Sequence, residues 1–179
     1  DMFEPQEHPN DFEYPGGPPI APYDNAGWTL AFQMGVEFDR ILDGFEGPFE
    51  LIEGLADLPA GAVTGSDAEG YVFDHRNNNA VLAVNRLLAD GRQVVWLLDS
   101  PVGVDLPPGA FYIAANQVDR SELEALAGEV GVDFQAVVAP TGGMLRLRRP
   151  RLALWDQYGG SMPSGWTRKI LEDFGFDFD

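Results

Sequence analysis

The residue pattern predicts an α/β fold: a Pro-rich N-terminal arm, a small mixed or parallel sheet with flanking helices, and a further strand–helix unit at the C-terminus. Three observations carry this expectation. Between residues 70 and 139, β-branched and aromatic runs alternate twice with helix-like stretches. Leu123, Leu126, Ala127 and Val130 fall on one stripe of a helix. The last 29 residues, Arg151 to Asp179, read as a strand, a Gly/Ser/Pro turn and an amphipathic helix.

Along the chain this gives three zones: an arm and short helix over 1–44, an α/β domain over 45–148, and the start of another α/β domain over 149–179. In the arm, six prolines before residue 27 oppose regular structure, because proline fixes φ and lacks a donor. Phe3, Phe12, Tyr14, Ile20 and Tyr23 still give it apolar teeth, so it is expected to lie against a neighbouring surface rather than to be a disordered linker. A short helix is expected over 26–35, and short strands at Phe49–Ile52 and Ala62–Thr64.

From residue 70 the elements follow in order. Gly70–His75 is a strand candidate. Asn77 or Asn78 caps a helix that runs to Asp90, and Gly91 ends it. Gln93–Leu98 (QVVWLL) reads as a buried strand, and Ala110–Ala114 follows a Pro/Gly loop. Asp119 and Glu122 have capping-box spacing, Gly131 closes that helix, and Phe134–Ala139 is the next strand. Arg151–Asp156 is then a strand and Gly165–Phe174 a helix capped by Ser164, with Trp166, Ile170, Leu171 and Phe174 toward the core. Such a unit opens a doubly wound domain. Together with Asp at position 1, it predicts that the sequence is a segment of a longer protein.

Charge and composition narrow the function. A formal net charge of −18 opposes nucleic acid binding, which needs a basic surface. Arg146, Arg148, Arg149 and Arg151 form the dense basic cluster, interleaved with leucines as in a strand with one solvated face. The absence of cysteine excludes disulfides and thiol catalysis within the sequence. No apolar run is long enough for a membrane span.

Several strings are more specific: DMFEPQ (1–6), YPGGPP (14–19), PYDNAGWTLAFQMGV (22–36) and RLALWDQYGGSMPSGWTRKILEDFGF (151–176). Together they resemble the region after the catalytic domain in large bacterial zinc carboxypeptidases of the carboxypeptidase A-like family, running into a class I glutamine amidotransferase-like domain. The resemblance implies a secreted or periplasmic metallopeptidase parent, with zinc in a peptidase domain outside this sequence. That peptidase domain is the expected partner, with peptide substrate a further one.

The resemblance does not bring the chemistry with it. The nearest approach to a zinc-binding His-x-x-Glu is His8-Pro9-Asn10-Asp11, with Asp in place of Glu. His75 is the other histidine. An amidotransferase needs a nucleophilic cysteine, which is absent. No zinc ligand and no catalytic residue is therefore assigned. A small hydrolase is disfavoured by the lack of a Gly-x-Ser-x-Gly elbow.

The remaining candidate is the turn of Gly159, Gly160, Ser161, Ser164 and Gly165, with Arg168 one turn on. Amides at a helix N-terminus and serine hydroxyls can hold a carboxylate or phosphate. The simpler reading of the same residues, and the favoured one, is a tight turn with a serine cap. Asn77–Asn79 read as a helix cap with solvated neighbours. The expected function is thus a non-catalytic accessory segment. The alternative is a stand-alone α/β module binding peptide, glycan or small anion through the 159–165 turn.

Overall fold

A computed structural model describes residues 10–20, 31, 34, 36–39, 41–66 and 68–179. The chain divides into two compact units, Asp1–Glu53 and Gly54–Asp179. No helix among the described residues is long and apolar enough to cross a membrane.

In the first unit, the prolines build a tight hairpin where the sequence predicts irregular coil. Phe12 bridges Pro19 in antiparallel fashion, and Ile20 N donates to the Asp11 carbonyl at 3.0 Å. At its tip Gly17 N donates to the Tyr14 carbonyl at 2.8 Å. Pro15 and Gly16 form the centre of this turn, and Gly16 takes the left-handed φ of 76° that a type II turn requires there. Ala31 and Met34 are helical; the rest of the helix expected over 26–35 lies outside the described residues. The strand expected at Phe49–Ile52 does not form. Phe49, Leu51 and Ile52 are exposed, and no strand among the described residues pairs with them.

The second unit holds six strands: β1 (Val63–Thr64), β2 (Gly70–Phe73), β3 (Val94–Leu97), β4 (Phe111–Ala114), β5 (Phe134–Val137) and β6 (Met144–Arg146). Its helices are α1 (Asn78–Ala89), α2 (Arg120–Val130) and α3 (Met162–Asp173). The sheet order is β1-β5-β2-β4-β3-β6; β1 and β5 are parallel and every other pair is antiparallel. The α/β class is therefore a mixed sheet. β4 lies between β2 and β3, and β2 lies between β4 and β5. The core β2-α1-β3-β4-α2-β5 is thus the double split β-α-β arrangement of ferredoxin-like folds, extended by one strand at each edge.

Local chemistry sets each element. Asn77 caps α1, its Oδ1 accepting from Asn79 N at 2.9 Å. Gly91 and Gly131 follow α1 and α2 with φ of 76° and 68°, conformations that a Cβ disfavours. The Asp119–Glu122 capping box is not made. Asp119 is the N-cap residue without a side-chain bond, and Glu122 instead takes Arg92 at 2.8 Å. Ion pairing to a neighbouring element has displaced the local cap.

Leu123, Ala127 and Val130 of α2 are buried as the stripe requires, and pack with Ala83 and Leu87 of α1 against Tyr71, Phe73, Phe111, Ile113 and Phe134. The opposite face carries Val72, Leu97, Tyr112 and Val137, covered in part by Val104 and Leu106 of the β3–β4 loop. β3 is less enclosed than its composition predicts, since Trp96 is 39% exposed. At the β1 edge, Arg120 of α2 donates to the carbonyls of Gly65 (2.6 Å) and Val63 (2.8 Å).

Candidate functional site: the turn before α3

Arg151–Asp156 does not form a full strand. Leu152 alone bridges Phe178, in parallel, supported by Leu154 N to the Asp179 carbonyl at 2.8 Å and Asp179 N to the Leu152 carbonyl at 3.2 Å. α3 joins these two segments, so the tail is a small β-α-β unit. It is attached to the sandwich through α1: Asn85 Nδ2 donates to the Phe174 carbonyl at 2.8 Å, and Gly175 lies where a Cβ would meet Leu82 at 3.3 Å.

The helix begins earlier than the sequence suggests, at Met162, and Ser161 is its cap rather than Ser164. Pro163 explains the shift: it is readily tolerated in a first helical turn, where its missing N–H has no intrahelical partner. Ser161 Oγ accepts from Ser164 N at 3.3 Å. Gly159 and Gly160, at φ of 92° and 75°, turn the chain into this start.

The donors of the turn converge on a residue that the sequence reading did not single out, Asp156. Its Oδ1 accepts from Gln157 N at 2.8 Å and its Oδ2 from Ser161 N at 3.0 Å. The Ser164 hydroxyl also donates to Oδ2. These bonds, the Ser164 hydroxyl first, hold the Asp156 carboxyl below the usual carboxylate range even though desolvation opposes them.

Gly160, Ser161, Ser164, Gly165 and Arg168 all line one open pocket of ≈ 440 Å³, together with Asp156 and Asp179. Gly159 is not part of that lining. An anion entering here would meet the Asp156 carboxylate at the very donors suited to bind it. Arg168 is engaged as well, its Nε donating to Glu172 at 2.8 Å. Trp166 and Ile170 do not reach a core: they are 61% and 55% exposed, while Leu171 and Phe174 are half-buried. With Met162 they form an exposed apolar stripe on α3.

The other residues weighed from the sequence lie apart from this pocket. Asn77 is the cap expected and Asn78 is exposed beside it, but Asn77 and Asn79 also make longer-range bonds. Asn77 Nδ2 donates to the Gly131 carbonyl at 3.3 Å and Asn79 Nδ2 to the Val130 carbonyl at 2.8 Å, tying the start of α1 to the end of α2. His75 packs near Trp96, with ring centroids 6.1 Å apart. Its Nδ1 is 3.9 Å from Asp74 Oδ1, but Asp74 is bound through both oxygens by Arg76. His8 lies outside the described residues.

The donor set around His75 does not fit a zinc ion, and no group of three or more His, Asp or Glu among the described residues is placed to hold a metal. Asp11 and Glu13 are exposed on the hairpin, and Asp177 pairs with Arg149. Compared with protein-family models, curated proteins and solved structures, the chain matches none.

Proposed function

We propose that this chain is a non-catalytic accessory segment of a carboxypeptidase A-like zinc peptidase, contributing scaffold rather than chemistry. The parent would remove C-terminal residues from peptides outside the cytoplasm, using zinc held in its own peptidase domain. The observation that carries the reading is the β-α-β tail. The string at 151–176 resembles the opening of an amidotransferase-like domain, and it folds with a parallel Leu152–Phe178 bridge spanned by α3. A parallel crossover of this kind is the building unit of doubly wound sheets. The self-satisfied Asp156 turn also favours a structural role, since its donors maintain the strand-to-helix bend.

The test is metal and activity analysis of the purified chain. After incubation with zinc and dialysis it is expected to retain no stoichiometric metal and to release no C-terminal residue from model peptides. Stoichiometric zinc, or such release, would overturn the proposal.

The second reading, a stand-alone module for peptide, glycan or small anion, draws on the pocket before α3. Calorimetric titration with phosphate separates the two for the anion case. The accessory reading expects no heat from this site, and binding that is lost in Ser161→Ala would favour the module.

A further inference from the structure

The geometry points to the outer edge of β6 as a docking site for an extended acidic peptide, which joins the sheet as an additional strand. This goes beyond the accessory reading and does not depend on it. The two edges of the sheet are finished differently. At β1 the strand is two residues long and Arg120 occupies the carbonyls of Val63 and Gly65. At β6 nothing comparable covers the strand among the described residues.

The register shows which groups are open. Trp96 pairs with Leu145, and the flanking bonds run from Leu98 N to the Gly143 carbonyl and from Leu147 N to the Val94 carbonyl. Residues 143, 145 and 147 therefore face β3. Antiparallel alternation turns the N–H and C=O groups of Met144 and Arg146 outward, ready for another strand. Met144 and Leu145 are 45% and 56% exposed beside them.

Charge identifies the occupant. The sequence has 29 acidic and 11 basic residues, so a basic side chain without a carboxylate is unusual here. Arg76, Arg86, Arg92, Arg120, Arg149, Arg168 and Lys169 all form ion pairs. Among the described residues, Arg146, Arg148 and Arg151 form none, and all three are exposed along β6 and the chain leaving it.

Arg146 and Arg148 are two positions apart, the spacing at which side chains of a strand share a face. A peptide with an acid at every second position would set its carboxylates opposite them while its main chain completes the edge, the mode known as β-augmentation. A second copy pairing through the same strand would place arginine against arginine. The edge thus repels its own kind and admits the opposite charge. A nucleic acid would use the arginines but not the main-chain donors, and would meet strong repulsion from the rest of the chain.

The test is fluorescence anisotropy with the intact chain and a labelled Glu-Val-Glu-Val-Glu-Val peptide. Binding is expected, with little for the Lys-Val counterpart. Methylating the amide nitrogens of the peptide is expected to abolish binding, because the strand bonds are lost while the charge is kept. Arg146→Gln and Arg148→Gln should each weaken binding by about tenfold, in the range of one close charge pair. The methylated peptide needs no altered protein, so misfolding of a variant cannot decide the outcome. No binding of the acidic peptide, equal binding of the methylated or the Lys-Val peptide, or tighter binding of a thymidine oligonucleotide would each overturn the proposal.

Discussion

Asn85 reaches from the buried side of α1 to the end of α3, where its Nδ2 donates to the Phe174 carbonyl at 2.8 Å. At 7% exposure, it is the one polar side chain buried with the core among the described residues. Asn85→Ala removes the donor and leaves a helix-terminal carbonyl without this partner, at a cost of about 1–3 kcal/mol. The expected outcome is faster hydrogen exchange across 162–176, by about tenfold for each 1.4 kcal/mol, with β2 and β4 still protected. Unchanged exchange in α3 would show that the tail is held by other contacts.

Asp156 makes the turn before α3 pH-dependent. Because its carboxyl is held below its ordinary value, chiefly by Ser164, the folded turn gains stability above the unfolded pKa of about 3.9. That gain disappears as pH falls through the lower folded value. Following the Ser161 and Ser164 amide signals by NMR during acid titration should reveal the transition. Ser164→Ala should move its midpoint upward, and an unmoved midpoint would remove Ser164 as the principal cause.

Core and tail aromatics should respond very differently to truncation. Phe134 is fully buried with its ring 4.6 Å from that of Phe73, so Phe134→Ala should cost about 3–5 kcal/mol in urea unfolding. Trp166→Ala, on the exposed stripe of α3, should stay within about 0.5 kcal/mol. Comparable losses for the two would mean that α3 is packed more deeply than described.

Gly70 is opposite Ala114 in the β2–β4 register, and the ring of Tyr112, two residues along β4, lies diagonally over the glycine. A Cβ at position 70 would lie 2.2 Å from a ring carbon. Gly70→Ala should therefore cost about 1–3 kcal/mol, and less in a Tyr112→Ala background, a coupling that a double-mutant cycle measures.

The same ring gives an alkaline prediction. Burial first, and Glu69 second, raise the Tyr112 phenol above its usual value. Its contribution is fully present below about pH 10 and is lost as pH rises through the folded pKa. Tyr112→Phe should flatten this alkaline decline in melting temperature; an identical decline would assign it to other groups.

The elements of the sandwich were legible because their causes are local. Asn77, Gly91 and Gly131 mark helix ends by side-chain capping or left-handed backbone, and the α2 stripe marks its buried face. What depended on distant partners was not legible. Nothing near β4 in sequence indicates that it inserts between β2 and β3, and Glu122 looks like a cap until Arg92 is beside it. At Phe49–Ile52 the composition was favourable, but no strand among the described residues pairs with it. The hairpin at 11–20 is a different case. Pro15-Gly16 signals its turn, but the density of prolines around it argues against regular structure and hides the signal. At the candidate site, the glycines and serines were visible as a turn, whereas Asp156 as the acceptor of its donors emerges only when the loop closes.

The interleaved crossovers have a consequence for how this chain can be divided. β2 and β3 enclose a gap that only β4 fills, and β4 and β5 enclose one that only β2 fills. Cutting the chain within the β3–β4 loop would yield two pieces of three strands each, and within either piece no two strands are neighbours in the sheet. Neither piece contains a sheet. Each supplies the missing middle of the other, so the sandwich assembles and melts as a single cooperative body, and the separated halves can regain structure only by finding one another.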